Sequence, residues 1–180
     1  MSNTPQANLA ALHEAIRVQL VAGFPALQDV GAYPRPGEKI STPAIYFELD
    51  AIDVPNPGEA GTEQVAAALT FNAYCVVSYK GTGKLAVRTL AASLMSWLRG
   101  KRFGQPIGPA MPQSADPDLI AGAGEEYEVF RVTWRHDPVY LGTSVWDATG
   151  VVPTEVYLGI DPETGPANLA KYIKIAPPAP

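Results

Sequence analysis

Leu9, Leu12, Ile16 and Leu20 recur at helical spacing near the start of the chain, with His13, Glu14, Arg17 and Gln19 off that stripe. The pattern predicts an amphipathic helix, capped by Thr4 with Pro5 at its first position and stopped at Gly23. A turn-rich stretch from Phe24 to Lys39 follows. Ile45, Phe47, Leu49 and Ala51 then alternate with Tyr46, Glu48 and Asp50, which predicts a half-buried strand ended by the loop Asp53 to Gly58. The longest alternation runs from Gln64 to Tyr79. Val65, Ala67, Leu69, Phe71, Ala73, Cys75, Val77 and Tyr79 share one face, and Gln64, Thr70, Asn72 and Ser78 the other. A run of this length exceeds an ordinary strand and predicts a bent central strand of an antiparallel sheet.

Gly81-Thr82-Gly83 turns the chain into a second helix over Lys84 to Arg99, with Val87, Leu90, Leu94 and Trp97 as its apolar stripe. Arg99 complements the helix dipole and Gly100 stops the helix. A Pro/Gly-rich loop spans Phe103 to Gly124. A further strand covers Glu126 to His136, with Phe130, Val132 and Trp134 on one face, and resumes over Val139 to Leu141 beyond Asp137-Pro138. After Gly142 the composition turns to breakers. One strand at Thr154 to Leu158 and one helical turn near Asn168 to Ile173 stand out there. The reading is an α+β fold: an antiparallel or mixed sheet of about four strands, two helices packed on one face, and an extended C-terminal arm. The domain is assigned to residues 1–142 and the arm to 143–180.

Composition sharpens this in three places. The 18 prolines fall in clusters that mark breaks between elements. The formal net charge of −5 argues against an electrostatic grip on nucleic acid, which needs a basic face. The single cysteine, Cys75, excludes an intramolecular disulfide and lies in an apolar run, as a buried inert thiol would. The polar start Met1 to Pro5 has no signal-peptide character, and no uncharged apolar run reaches membrane-spanning length, so a reducing cytoplasm is the expected site of synthesis.

Candidate chemistry is thin. Tyr79-Lys80-Gly81-Thr82-Gly83-Lys84 lies between a strand and a helix but has Ser78 where a phosphate loop needs glycine. It also has Leu85 where that loop needs Ser or Thr, so it reads as a glycine turn. His13 is expected on a helix surface and His136 at a strand end, with no metal-ligand spacing to either. A small cytoplasmic enzyme built from His13, His136 and the cluster Glu125, Glu126 and Glu128 is the reading from another class. The cluster reads better as a solvated strand entrance that discourages wrong edge pairing. Outward aromatics such as Tyr46, Tyr74, Trp146 and Tyr172 suit protein interfaces, and Lys101-Arg102 suits an acidic neighbour. Val156 and Leu158 suit addition to an exposed sheet edge.

Several of these segments, in order, resemble a known family. They are the stripe Leu9-Leu12-Ile16-Leu20, the strand Pro43 to Glu48, and the long strand running into Ser78-Tyr79-Lys80-Gly81. The helix ending in Trp97-Leu98, the segment Val132 to His136, and Tyr140-Leu141-Gly142 complete the set. Over about Leu9 to Gly142 the chain resembles the tail terminator, or tail completion, proteins of tailed bacteriophages, particularly the branch found with Mu-like contractile tails. The resemblance implies a non-enzymatic virion protein at the head–tail junction, assembled in the host cytoplasm and without cofactor or metal. It implies a ring, usually a homo-hexamer, that caps the tail tube, meets the sheath, and offers a surface to a head connector or collar protein. Duplex DNA would be passing cargo, with Glu59 and Glu63 as candidate pore residues, and no membrane is involved. The stretch after Gly142 exceeds the family's short domain. Collar, connector and other tail or baseplate proteins are therefore the neighbouring alternatives.

Overall fold

The computed structural model describes residues 7–33, 39–55, 62–79, 82–119, 126–144 and 156–175. The chain divides into two compact units, one over Thr4–Val145 and one drawn from Trp146–Pro180.

The larger unit is a five-stranded mixed sheet with two helices on one face. The elements run α1 (Leu9–Gly23), β1 (Asp29–Ala32), β2 (Ala44–Asp53), β3 (Val65–Ser78), α2 (Gly83–Leu98), β4 (Ala110–Asp118) and β5 (Tyr127–Leu141). Strand order is β1-β2-β3-β5-β4. Only β1 pairs in parallel, with β2; every other pairing in the sheet is antiparallel. β3 is central, as its alternation predicts, and it bends where its register with β5 shifts between Ala67 and Leu69. The α+β class, the mixed sheet and the one-sided helices agree with the sequence reading. The strand count is corrected upward, because β1 lies in the stretch read as turns and β4 inside the Pro/Gly-rich loop.

Three local details are also corrected. α1 starts at Leu9, with Asn8 Oδ1 accepting from the Ala11 amide at 3.0 Å; Thr4 and Pro5 lie outside the described residues. α2 buries Val87, Ala91, Leu94 and Leu98, so the stripe is rotated and Leu90 and Trp97 flank the core. Trp97 turns its ring edge-on to Phe24, with centroids 5.5 Å apart. Arg99 and Gly100 follow the helix, Gly100 at φ +79°, a backbone region that favours glycine.

The core lies between helices and sheet. Leu12, Ile16 and Leu20 of α1 meet Phe47, Phe71, Ala73, Cys75, Val132 and Trp134 of the strands. Burial of each large apolar side chain contributes about 1.5–3 kcal/mol. Cys75 is fully buried, and loss of water pushes its thiol up to about 12, so it packs as an inert apolar group.

The second unit is small. β6 (Val156–Leu158) pairs antiparallel with β7 (Ile173–Ile175), and a 3-10 turn (Pro166–Lys171) lies between them. The expected strand and helical turn are both present, and β7 is additional. The strand at Val156 pairs on one side with β7 of its own unit.

Candidate functional site

The helix-free face of the sheet is laid out in rows by register. Tyr46 stands opposite Tyr74, and Tyr74 opposite Arg131, which faces Asp116. In the next row Glu48, Asn72, Thr133 and Ser114 stand side by side. The two tyrosines singled out from sequence thus meet as a cross-strand pair on one face.

Side-chain hydrogen bonds stitch this face, and at one end Ile40, Ala44, Val76 and Val129 form a small buried cluster against Tyr46, Tyr74 and Tyr127. Tyr46 donates to Asp29 Oδ2 at 2.5 Å and Tyr74 donates to Glu48 Oε1 at 2.6 Å. Thr133 Oγ1 donates to Asn72 Oδ1 at 2.8 Å. Arg131 reaches Asp118 at 3.2 Å, and Arg135 spans Asp53 at 3.8 Å and Asp137 at 3.4 Å. Partial burial first, and then the bond to the Glu48 carboxylate, push the Tyr74 phenol well above its ordinary range. Tyr74 is therefore held as a neutral, amphipathic group, and Tyr46 is fixed by its bond to Asp29, both the kind of side chain that contributes contact area at little entropic cost.

The other sequence-derived candidates are dispersed. Lys101 lies over the Trp97 ring, its Nζ 4.3 Å from the centroid, and Arg102 beside it is exposed. Both belong to the turn after α2, away from the tyrosine pair. Trp146 and Glu59 lie outside the described residues, and Glu63 is exposed at φ +58°. Leu158 is half exposed on β6, with Val156 opposite Ile175 in the same ladder. Tyr172 serves its own unit: its ring lies over Gly159 and its hydroxyl accepts the Gly165 amide at 2.7 Å.

The histidines are structural in their bonding. His136 is fully buried in the middle of β5, not at a strand end, because β5 continues through Asp137-Pro138. An indole N–H can only donate, so Trp134 Nε1 gives its proton to His136 Nε2 at 3.2 Å. His136 Nδ1 therefore carries the ring proton and donates to the Gly108 carbonyl at 2.8 Å. His13 is half-buried, not a free surface residue. Its Nδ1 donates to Leu9 O at 3.0 Å, Nε2 accepts from Tyr33 at 3.1 Å, and the ring stacks on Tyr33. Phe71 touches both imidazoles, with centroids 5.7 and 5.9 Å away. Of the acidic cluster, Glu128 lies against Gly83 at the start of α2, where a carboxylate suits the helix dipole. Glu126 is exposed and Glu125 lies outside the described residues. No group of three or more His, Cys, Asp or Glu among the described residues is placed to hold a metal ion.

One feature has no counterpart in the sequence reading. A shallow apolar groove of about 540 Å³ runs along α2, lined by Phe24, Leu85, Ala86, Thr89 and Leu90. Leu85 beside it is 68% exposed. The i, i+4 spacing of Leu85 and Thr89 on the helix back was its only trace in the sequence.

No family model matches the chain. No curated protein matches it either. Solved structures are similar to it in part, two of them as follows. One is a chain from the virion of a native gene transfer agent particle, 18% identical, covering 73% of this chain and 94% of its own with a TM-score of 0.46. The other, a protein without a descriptive name, is 15% identical and covers 74% of this chain and 94% of its own with a TM-score of 0.44. At that identity and superposition, neither assigns this chain to a family.

Proposed function

We propose that this chain is a structural protein of a phage-like virion, whose copies close into a ring on the end of a tail tube and meet the head connector. The observation that carries the reading is the bare apolar surface of the C-terminal unit. Tyr157, Leu158, Ile160, Leu169, Ile173 and Ile175 are each at least 44% exposed, so the unit does not bury them itself. Apolar side chains gathered at that density mark a surface made for another protein.

Two further features support assembly over catalysis. The element order from the Leu9 stripe to Gly142 fits the resemblance to tail terminators. Both histidines commit both ring nitrogens to structural hydrogen bonds. On this reading the arm, residues 143–180, covers a ring neighbour or another virion protein.

The test is deletion of Thr143 to Pro180, followed by negative-stain imaging of both proteins alone and with tail tubes. The full chain should form rings or decorate tube ends. The truncated chain should stay folded and soluble but join rings or tubes poorly. Unfolding of the truncated monomer would return the arm to its own core. A full chain that neither self-associates nor binds tubes overturns the ring reading, and binding to the head connector alone would make it a collar or connector protein. A robust activity abolished by His136→Ala in a folded protein would replace assembly with catalysis.

A further inference from the structure

In the larger unit cations concentrate along α2 and acids concentrate on the helix-free face of the sheet. From Lys80 to Ala115 the chain carries six cations, Lys80, Lys84, Arg88, Arg99, Lys101 and Arg102, and no Asp or Glu. All 18 acidic residues lie elsewhere, alongside the other 7 cations. This stretch contains the whole of α2. Because α2 buries Val87, Ala91, Leu94 and Leu98 against the sheet, its opposite side faces solvent. Lys84, Arg88 and Arg99 are exposed on α2 and at its end, around the short side chains of Thr89, Ala92 and Ser96. Among the described residues, none of Lys84, Arg88, Arg99, Lys101 and Arg102 forms an ion pair. On the helix side the acids are Glu14 of α1, already bound by Arg17 at 2.7 Å, and Glu128 of β5, which lies against Gly83 at the start of α2.

The helix-free face of the sheet has the opposite sign. Register places Asp29, Glu48, Asp53, Asp116 and Asp118 on it, against Arg131 and Arg135. Those two arginines are held by Asp118 and by Asp53 and Asp137, which leaves the face acidic.

We infer that the solvent side of α2 of one copy docks on the helix-free sheet face of the next, with Lys84, Arg88 and Arg99 opposite Asp53, Glu48 and Asp116. The inference rests on the ring reading and specifies its subunit contact. Two patches of opposite sign on opposite sides of one domain cannot meet each other within a subunit. Between copies they make a head-to-tail contact, the kind whose repetition closes rings. A helix lined by small side chains can approach the half-buried Tyr46 and Tyr74 closely. Like faces repel, which disfavours the two-fold dimer that would compete with a ring.

The experiment uses two full-length variants, Lys84→Glu with Arg99→Glu, and Asp53→Lys with Asp116→Lys. Circular dichroism and thermal melting establish that each is folded, and sedimentation velocity reads assembly. Wild type should self-associate, and the association should weaken between about 0.1 and about 1 M salt, as the screening length falls from about 10 to about 3 Å. Each variant alone should associate about tenfold or more weakly, because like charges then face each other. Mixed one to one, the two should assemble again. The helix side of the first, now acidic, meets the sheet face of the second, now basic, and the remaining contact is the wild-type one. Folded variants that assemble singly as well as wild type overturn the inference and leave the ring reading standing. A mixture that stays monomeric, or a wild type monomeric in low salt at every concentration, overturns it too. Failure of the full chain to bind tube ends counts instead against the ring reading.

Discussion

Trp134 and His136, two residues apart on β5, share a hydrogen bond inside the core, with the indole N–H donating to the imidazole Nε2 at 3.2 Å. Trp134 also stacks on Phe71, with centroids 5.1 Å apart and an interplanar angle of 11°. The consequence is a chain of contacts in which ring packing and polar satisfaction depend on the same side chain. Trp134→Ala should cost about 3–5 kcal/mol. Trp134→Phe keeps most of the volume but strips His136 of its donor, and should cost about 1–3 kcal/mol. Urea titrations of the two variants check both values.

The same histidine makes stability depend on pH. Burial, the larger influence, lowers the His136 pKa from 6.5, and the bond to the Gly108 carbonyl opposes that only in part. Below pH 6.5 the unfolded chain takes up a proton that the folded chain refuses. This contribution is therefore fully present above pH 6.5 and is lost as pH falls from there through the folded value. The slope should approach about 1.4 kcal/mol per pH unit between the two values. Chemical denaturation at a series of pH values should show that slope, and His136→Gln should remove it.

Gly108 lies where a side chain has no room. A Cβ there would fall 2.1 Å from the Asp137 carbonyl oxygen, a backbone atom that cannot rotate away. The Gly108 amide also donates to Pro138 O at 2.7 Å. Gly108→Ala should cost about 3 kcal/mol, at the upper end for overpacking, read by the shift of the urea midpoint.

Tyr74→Phe removes the donor from Glu48 on a half-exposed face. A loss of about 1 kcal/mol is expected. Spectrophotometric titration should also lose a strongly alkaline tyrosine, because partial burial and the Glu48 carboxylate push the Tyr74 phenol up.

Leu158 and Ile173 face each other across β6 and β7 and are 48% and 57% exposed. Leu158→Ser with Ile173→Ser should leave the melting of the larger unit within about 0.5 kcal/mol of wild type. On the ring function proposed above, binding to tubes or rings should fall, as measured by co-sedimentation.

Elements with strong periodicity were legible in the chain, and those sustained by their neighbours were not. β2 and β3 show in the alternation around Phe47 and Phe71 because one face of each is buried along its length. β1 has only Asp29-Val30-Gly31-Ala32, too short to alternate, and it exists because β2 offers it a parallel edge. β4 was hidden by Pro112 and Pro117, which read as breaks but are tolerated on an edge strand. The same logic misplaced His136: Asp137-Pro138 looked like a terminus, yet the strand absorbs it at a register shift. The α2 stripe was off by one position at two places because Trp97 looks like core and Ala91 does not, whereas the indole lies at the rim against Phe24. Tyr46 and Tyr74 were found individually as outward aromatics. Their adjacency depends on register, which no local pattern carries.

Pro112 and Pro117 have a meaning beyond concealment. Each deprives the outer strand β4 of one amide donor, and the register shift between Pro112 and Ser114 kinks the strand. A foreign strand approaching that edge would meet a ladder with rungs missing. An edge that will not zip keeps copies of the chain from polymerising strand to strand. The two prolines guard against fibrils and leave the broad faces of the sheet and helices to choose partners.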